Sequence, residues 1–156
     1  MNGKSVNIIP YNSDLAGYFR QLNLAWVTKY FEVEPADEKM LSNPQQYILD
    51  KGGYVFFAQL GEDIAGTFAM LKVENGVYEL SKMAVAEPYQ GQRIGNAMID
   101  FCLKQAKKLN AKKVILYSNT MLESAIHLYK KFGFAEVPLV HSDYKRSNIK
   151  MEIDIK

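Results

Sequence analysis

Between a branched, apolar stretch ending at Val85 and an amphipathic stretch starting near Gly95 lies Pro88-Tyr89-Gln90-Gly91-Gln92-Arg93-Ile94-Gly95-Asn96. A glycine-bearing turn at a helix start presents main-chain N–H groups that no carbonyl of its own helix can reach, and the helix dipole adds partial positive charge. Such a turn holds a pyrophosphate without a lysine cluster. Gly91 permits a positive φ, Gly95 permits close approach of the backbone, and Arg93 can add a charge-assisted bond. The Walker pattern requires Gly-Lys-Ser/Thr at the end of its turn, and the dinucleotide pattern requires a third glycine; both are missing. On residue types alone the turn is either an anion cradle or a strand-to-helix loop that needs two glycines for its geometry.

The elements that position this turn can be read outward from it. Val77 to Val85 alternates as a strand, and Glu74-Asn75-Gly76 before it predicts a hairpin with a type I′ turn, in which both central residues take positive φ. Ile64 to Val73 and Tyr54 to Gln59 complete an antiparallel meander, with Leu60-Gly61-Glu62-Asp63 as the turn between them. After the glycine turn, Ile94, Ala97, Met98, Phe101, Cys102 and Leu109 share one helical face, with Lys104, Lys107 and Lys108 toward water. Lys113 to Ser118 reads as a buried strand, so 77–118 is a crossover between parallel strands. Thr120-Met121-Leu122-Glu123 has the capping-box pattern of a helix with Met121, Ala125, Tyr129 and Phe132 on its apolar stripe and Gly133 past its end. Ala135 to Val140 and Lys150 to Ile155 are strands. Upstream, Val6 to Ile9 is a strand stopped by Pro10. Leu15, Phe19, Leu22 and Trp26 mark a helix that ends before Pro35, and Asn43-Pro44 caps a second one stopped at Gly52-Gly53. The order βααβββαβαββ predicts a mixed, mostly antiparallel α/β sheet in a single domain over residues 1–156.

Length and composition agree. With 156 residues, 48% of them hydrophobic and 23% charged, the chain can bury a core without disulfides or structural metal. A net charge of +2 excludes a general polyelectrolyte binder, so no nucleic-acid partner is expected. One cysteine, Cys102, and two histidines, His127 and His141, supply no disulfide framework and no metal set. No run approaches the roughly 20 apolar residues of a membrane span. The N-terminus has no signal-peptide pattern, and a cytoplasmic location is expected.

The run Glu79-Leu80-Ser81-Lys82-Met83-Ala84-Val85, followed by Gln90 to Gly95, resembles motif A of the GNAT superfamily of N-acetyltransferases, Gln/Arg-x-x-Gly-x-Gly/Ala. Arg93 stands where the motif has its middle glycine. Asn119, Ser124-Ala125 and Leu128-Tyr129-Lys130-Lys131-Phe132-Gly133-Phe134 resemble motif B. The resemblance is dense from Glu79 to Phe134. It implies acetyl-CoA as cosubstrate and a V-shaped split between the parallel strands 77–85 and 113–118, with helices on both faces of the sheet. It further implies a bulge that frees backbone groups of Met83, Ala84 and Val85 for the pantetheine arm. Lys82, which interrupts the inside–outside alternation, fits such a bulge. Main-chain N–H groups of Gln90, Gly91, Gln92, Arg93, Ile94, Gly95 and Asn96 would hold the pyrophosphate, and Asn119 either the cofactor arm or a helix cap.

Acetyl transfer to an amine requires a neutral amine, a stabilised oxyanion and a proton for the departing thiolate. The resemblance implies Tyr129 as the acid or thiolate stabiliser, although its periodicity alone reads as a core tyrosine. Glu79 would draw the proton from the amine through water; otherwise it is a solvated carboxylate or the ion partner of Lys82. The usual acceptor walls, the first helices and the last loop, offer Trp26, Phe31 and Glu34, and Tyr144-Lys145-Arg146. Glu34 can attract a cationic amine and Arg146 a carboxylate. The expectation is an N-acetyltransferase acting directly on a primary amine of a small-molecule or amino-acid-like acceptor, without metal; the family's habit of dimerising leaves room for a homodimer. The alternative is a non-catalytic acyl-CoA-binding sensor on the same fold.

Overall fold

A computed structural model describes residues 5–140 and 145–156 of the chain; His141 and Tyr144 lie outside the described residues. Seven strands form one sheet: β1 (Val6–Pro10), β2 (Tyr54–Leu60), β3 (Asp63–Glu74), β4 (Val77–Val85), β5 (Lys113–Ser118), β6 (Ala135–Val137) and β7 (Ile149–Asp154). Their order is β1-β2-β3-β4-β5-β7-β6. Every neighbouring pair is antiparallel except β4 and β5, which are parallel. The helices are α1 (Ala16–Tyr30), α2 (Pro35–Ser42), α3 (Pro44–Tyr47), α4 (Ile94–Lys108) and α5 (Glu123–Lys131). This is the mixed α/β sheet that the alternation predicts.

Period-two patterning splits the apolar residues between two cores. On β2, Phe56, Ala58 and Leu60 face the core that contains Ile94, Met98, Ile99 and Cys102 of α4, with Ile126, Leu128 and Tyr129 of α5 packed against it. Val55 and Phe57 face the opposite core, with Phe19 of α1 and Leu41 of α2. Helices therefore cover both faces of the sheet, and burial lifts the Cys102 thiol to about 12, as suits a packed core residue.

Several local expectations differ from the structure. A helix, α2, begins at Pro35, a residue the sequence reading used only as a stop for α1; proline at the first helical position ends one helix and opens the next. At Asn75-Gly76 the hairpin forms, but Gly76 alone takes a positive φ (80°), so the turn is not type I′. A register shift between Lys72 and Glu74 accompanies it. The capping box at Thr120 is absent. Helix α5 starts at Glu123 without a side-chain cap, and the Thr120 hydroxyl accepts instead from Asn148 Nδ2 at 3.1 Å. Met121 is exposed rather than on the apolar stripe. Strand β6 stops at Val137, before Pro138, which has no N–H to continue the ladder.

Met98 is fully buried where α4 rests on the sheet, and a Cβ placed on Gly66 of β3 would stand 3.2 Å from its Cε. Met98→Ala empties that contact and is expected to cost about 3 kcal/mol. A urea midpoint that falls with an unchanged slope would register it.

Candidate active site

The central feature is where β4 leaves β5. The two pair only over Val77–Glu79 and Lys113–Ile115, and beyond that β4 runs on to Val85 and β5 to Ser118 without pairing each other. A bulge coincides with the parting. Ala69 lies opposite Ser81 and Thr67 opposite Ala84, so one residue of β3 faces two of β4. Lys82 takes a left-handed φ of 53°, a conformation that costs a non-glycine residue about 1–2 kcal/mol. Ala84 and Val85 still lie opposite Thr67 and Gly66 on β3, so for these two it is the β5 side that lacks a strand partner.

A cavity of about 560 Å³ fills the split. Its walls include Glu79 and Met83–Val85 of β4, Tyr117–Asn119, Trp26 of α1, Phe31, the glycine turn, and Leu128 and Tyr129 of α5. In the turn, Gly91 takes φ 82° and Arg93 φ 64°, so Arg93 keeps the left-handed backbone that glycine would adopt freely. The first N–H of α4 to find a carbonyl is that of Ala97, which donates to Arg93 O at 3.2 Å. Among the described residues the N–H groups of 91–96 donate to no backbone carbonyl; four of them, 93–96, are those that any helix start leaves without one. A Cβ on Gly91 would meet nothing within 4 Å, and the buried Asn96 Oδ1 has no protein partner. Free donors on an open turn suit phosphate oxygens, and an unmet acceptor suits a donor group beside them. Gln90 Nε2 donates to Val85 O at 3.3 Å and Gln92 Nε2 to Pro88 O at 3.2 Å, so these side chains brace the turn.

Tyr129 packs edge-on to Phe134 and lines the cavity; burial lifts its hydroxyl to about 12, so it stays protonated at neutral pH. Glu79 lines the same cavity from β4, at the last residue paired with β5. Asn119 does not cap α5 but lines the cavity. Its Oδ1 accepts from the N–H of Met121 (2.9 Å) and its Nδ2 donates to Arg146 O (2.7 Å), tying the end of β5 to the segment before β7. Among the described residues no set of three His, Cys, Asp or Glu is placed to hold a metal, and no helix is long and apolar enough to cross a membrane.

Glu34 and Arg146, expected to meet an amine and a carboxylate separately, bond each other instead (3.2 Å). Both belong to a cluster around Asp37, which the sequence reading missed along with α2. Arg146 grips Asp37 through Nη1 to Oδ2 (2.7 Å) and Nη2 to Oδ1 (2.8 Å). Lys82 Nζ donates to Asp37 Oδ1 at 2.6 Å, and the Glu34 N–H to Oδ2 at 2.9 Å. The signal was available: Pro35 followed by Asp37 and Glu38 is the acidic first turn of a helix. Lys82 joins this cluster through Asp37, an ion partner that the sequence did not offer, and the charge of Glu79 acts on it as well.

The family model for the acetyltransferase (GNAT) family matches residues 19–134. The chain belongs to that family. As a GNAT protein it is an acetyl-CoA-dependent acyltransferase, with acetyl-CoA as cosubstrate. It is 26% identical over 113 residues to the uncharacterized N-acetyltransferase YvbK of Bacillus subtilis, covering 70% of this chain and 73% of that one. A GNAT acetyltransferase of Staphylococcus aureus superposes with a TM-score of 0.86 at 23% identity, covering 97% of this chain and all of the other. The spermidine N-acetyltransferase of Vibrio cholerae, solved with CoA and spermine, gives a TM-score of 0.75 at 18% identity over 96% of this chain and 95% of that one. At these identities the two structures establish the shared GNAT fold.

Burial pushes the Asp37 carboxyl up, but hydrogen bonds from Arg146 and Lys82 and the charge of Lys82 outweigh it and hold it at about 2. Its folded pKa lies below the roughly 3.9 of an unfolded chain, so its stabilisation is complete above pH 4 and is lost as pH falls toward 2. The loss amounts to about 2 kcal/mol. Urea midpoints measured from pH 6 down to pH 2 should decline over that window. Asp37→Asn should flatten that part of the decline and lower stability at pH 7 by about 3 kcal/mol, because it strips a buried partner from Lys82 and Arg146.

Proposed function

We propose that this chain transfers acetyl directly from acetyl-CoA to the primary amine of a small-molecule or amino-acid-like acceptor, both held at once in the β4–β5 cavity. One observation carries this reading: a single cavity joins a turn of free N–H groups, the unpaired edge of Met83–Val85, a carboxylate and a protonated tyrosine. The residues of the turn fit a pyrophosphate, and the open side of β4 fits an extended arm that completes its hydrogen bonding as an added strand would. Thioester chemistry belongs to the bound cosubstrate; this chain's residues orient it and move protons. A main-chain N–H at Met83 or Val85 stabilises the developing oxyanion. Glu79 takes a proton from the incoming amine, through water, and Tyr129 gives one to the departing thiolate.

The aromatic walls Trp26, Phe31 and Tyr117 support an acceptor of modest size beside the cofactor arm. Arg146 lines the cavity while bonded to Asp37 and Glu34, so an acceptor carboxylate would meet a guanidinium whose charge is already balanced. The Vibrio cholerae neighbour, a spermidine N-acetyltransferase seen with CoA and spermine, supports an amine acceptor.

Calorimetric titration of acetyl-CoA, with ADP as control, should give a dissociation constant near or below about 100 μM and much weaker binding of ADP. Binding of ADP without acetyl-CoA would make the turn a nucleotide site and remove the reading. A screen of primary amines, read by release of the CoA thiol, then identifies the acceptor. Binding with no turnover on any amine would favour an acyl-CoA sensor. With an acceptor in hand, Tyr129→Phe should lower kcat by about 10²-fold or more while acetyl-CoA still binds. Full turnover in that variant would take Tyr129 out of the reaction.

A further inference from the structure

The bulge in β4 has a cause in this chain's own residues. Tyr78 and Leu80 point into the apolar core beneath α4. Strict alternation would send Lys82 into the same core, where an ammonium has no partner. Its left-handed backbone turns it away, and its Nζ meets Asp37 of α2, a helix whose Leu41 packs in the opposite core. Both side chains of this pair are almost wholly buried, at 3% and 1% exposure. Asp37 is itself fixed by the two-pronged grip of Arg146 and by the Glu34 N–H, so it cannot follow Lys82 if the strand shifts. The bulge begins at Lys82, three positions past Glu79, the last β4 residue to pair with β5.

We propose that Asp37 and Lys82 are positioning residues for the cosubstrate: their ion pair holds Lys82 in the left-handed conformation, fixes the bulge, and so sets the register of Met83–Val85 along the open side of the split. The assignment of that open edge to acetyl-CoA rests on the function proposed above. The lock itself does not, because it fixes which residues of β3 and β4 face each other. With the bulge, Thr67 is opposite Ala84. Without it, Thr67 would face Met83, and each side chain beyond would change face.

Two substitutions of one residue separate backbone from charge. Lys82→Met removes the ammonium and leaves a side chain that the apolar core accepts in regular alternation, while Asp37 keeps Arg146. Lys82→Gly removes the same ammonium but keeps easy access to the left-handed conformation. The readouts are cross-strand amide contacts by NMR, which report the register of β3 against β4, and the acetyl-CoA dissociation constant. Lys82→Met is expected to shift the contacts of Thr67 from Ala84 to Met83 and weaken acetyl-CoA binding by about tenfold or more. Lys82→Gly should keep the register and recover most of the affinity. Native register in Lys82→Met overturns the lock. Loss of affinity in Lys82→Gly equal to that in Lys82→Met, with its register native, overturns the link to the cosubstrate by placing the effect on the ammonium itself. If the wild-type chain bound no acetyl-CoA, the proposed function would fall, and the register measurement would still decide the lock.

Discussion

The parting of β4 from β5 is the constraint on which the rest of the structure depends. Two parallel strands in the middle of a sheet normally satisfy each other's main-chain groups. Here they do so over three residue pairs and then separate, leaving unpaired backbone edges inside the fold. Buried peptide groups without partners are costly, so a split of this kind persists only where a ligand or solvent completes the hydrogen bonding and where the flanking layers keep the strands from closing. Both faces carry that load. Helix α4 lies close over Gly66 through Ile94 and Met98 on one side, and α1 and α2 hold Phe19 and Leu41 against the sheet on the other. Glycine at position 66 allows the close approach, since a Cβ there would meet Ile94 Cγ2 at 3.1 Å.

Electrostatics follows from the same geometry. Lys82 and Arg146 contribute two positive charges and Glu34 and Asp37 two negative ones, so the cluster behind the cavity is formally neutral. Its value lies in geometry more than in field. It joins three segments that no strand ladder connects: the start of α2, the bulge of β4 and the approach to β7. Asn119 makes a further tie from the end of β5 to Arg146. At the other end of the cavity the turn at Gly91 and the start of α4 supply partial positive charge through N–H groups alone. The two ends thus offer different chemistry, a turn of N–H donors at one and a charge-balanced, aromatic-walled space at the other.

Most of the sheet was legible because its strands are rich in branched and aromatic residues and are bounded by turn residues; β4 and β5 occupy the spans that the pattern predicts. The glycine turn was legible because its chemistry is local, a strand end, two glycines and a helix start within a few residues. What escaped was non-local or ambiguous in type. Pro35 can end one helix or begin another, and reading it only as a stop hid α2 and with it Asp37. The pairing of Glu34 with Arg146 joins residues 112 positions apart, so the sequence presents them as two separate charges. Asn75-Gly76 predicts the hairpin through its chemistry, but the register shift beside it lets Gly76 alone take the positive φ. Thr120 matched a capping pattern, but its own N–H, which the box would give to Glu123, donates to Asn148 Oδ1 instead.

Backbone strain gathers where the cavity needs it. Among the described residues, three that are not glycine have positive φ: Lys82, Arg93 and Asn110. Asn110 follows the end of α4, where asparagine adopts the left-handed form at little cost. The other two line the cavity. Each is a long cationic residue in a conformation suited to glycine, and each is held by a different means. Arg93 is held by helix α4, whose first hydrogen bond ends on its carbonyl. Lys82 is held by the buried carboxylate of Asp37. Glycine at either place would supply the conformation without strain and also without a side chain to fix it. A lysine anchored across to another helix favours a single state of the bent strand, which is what the proposed seating of an extended ligand along that edge in one register would require.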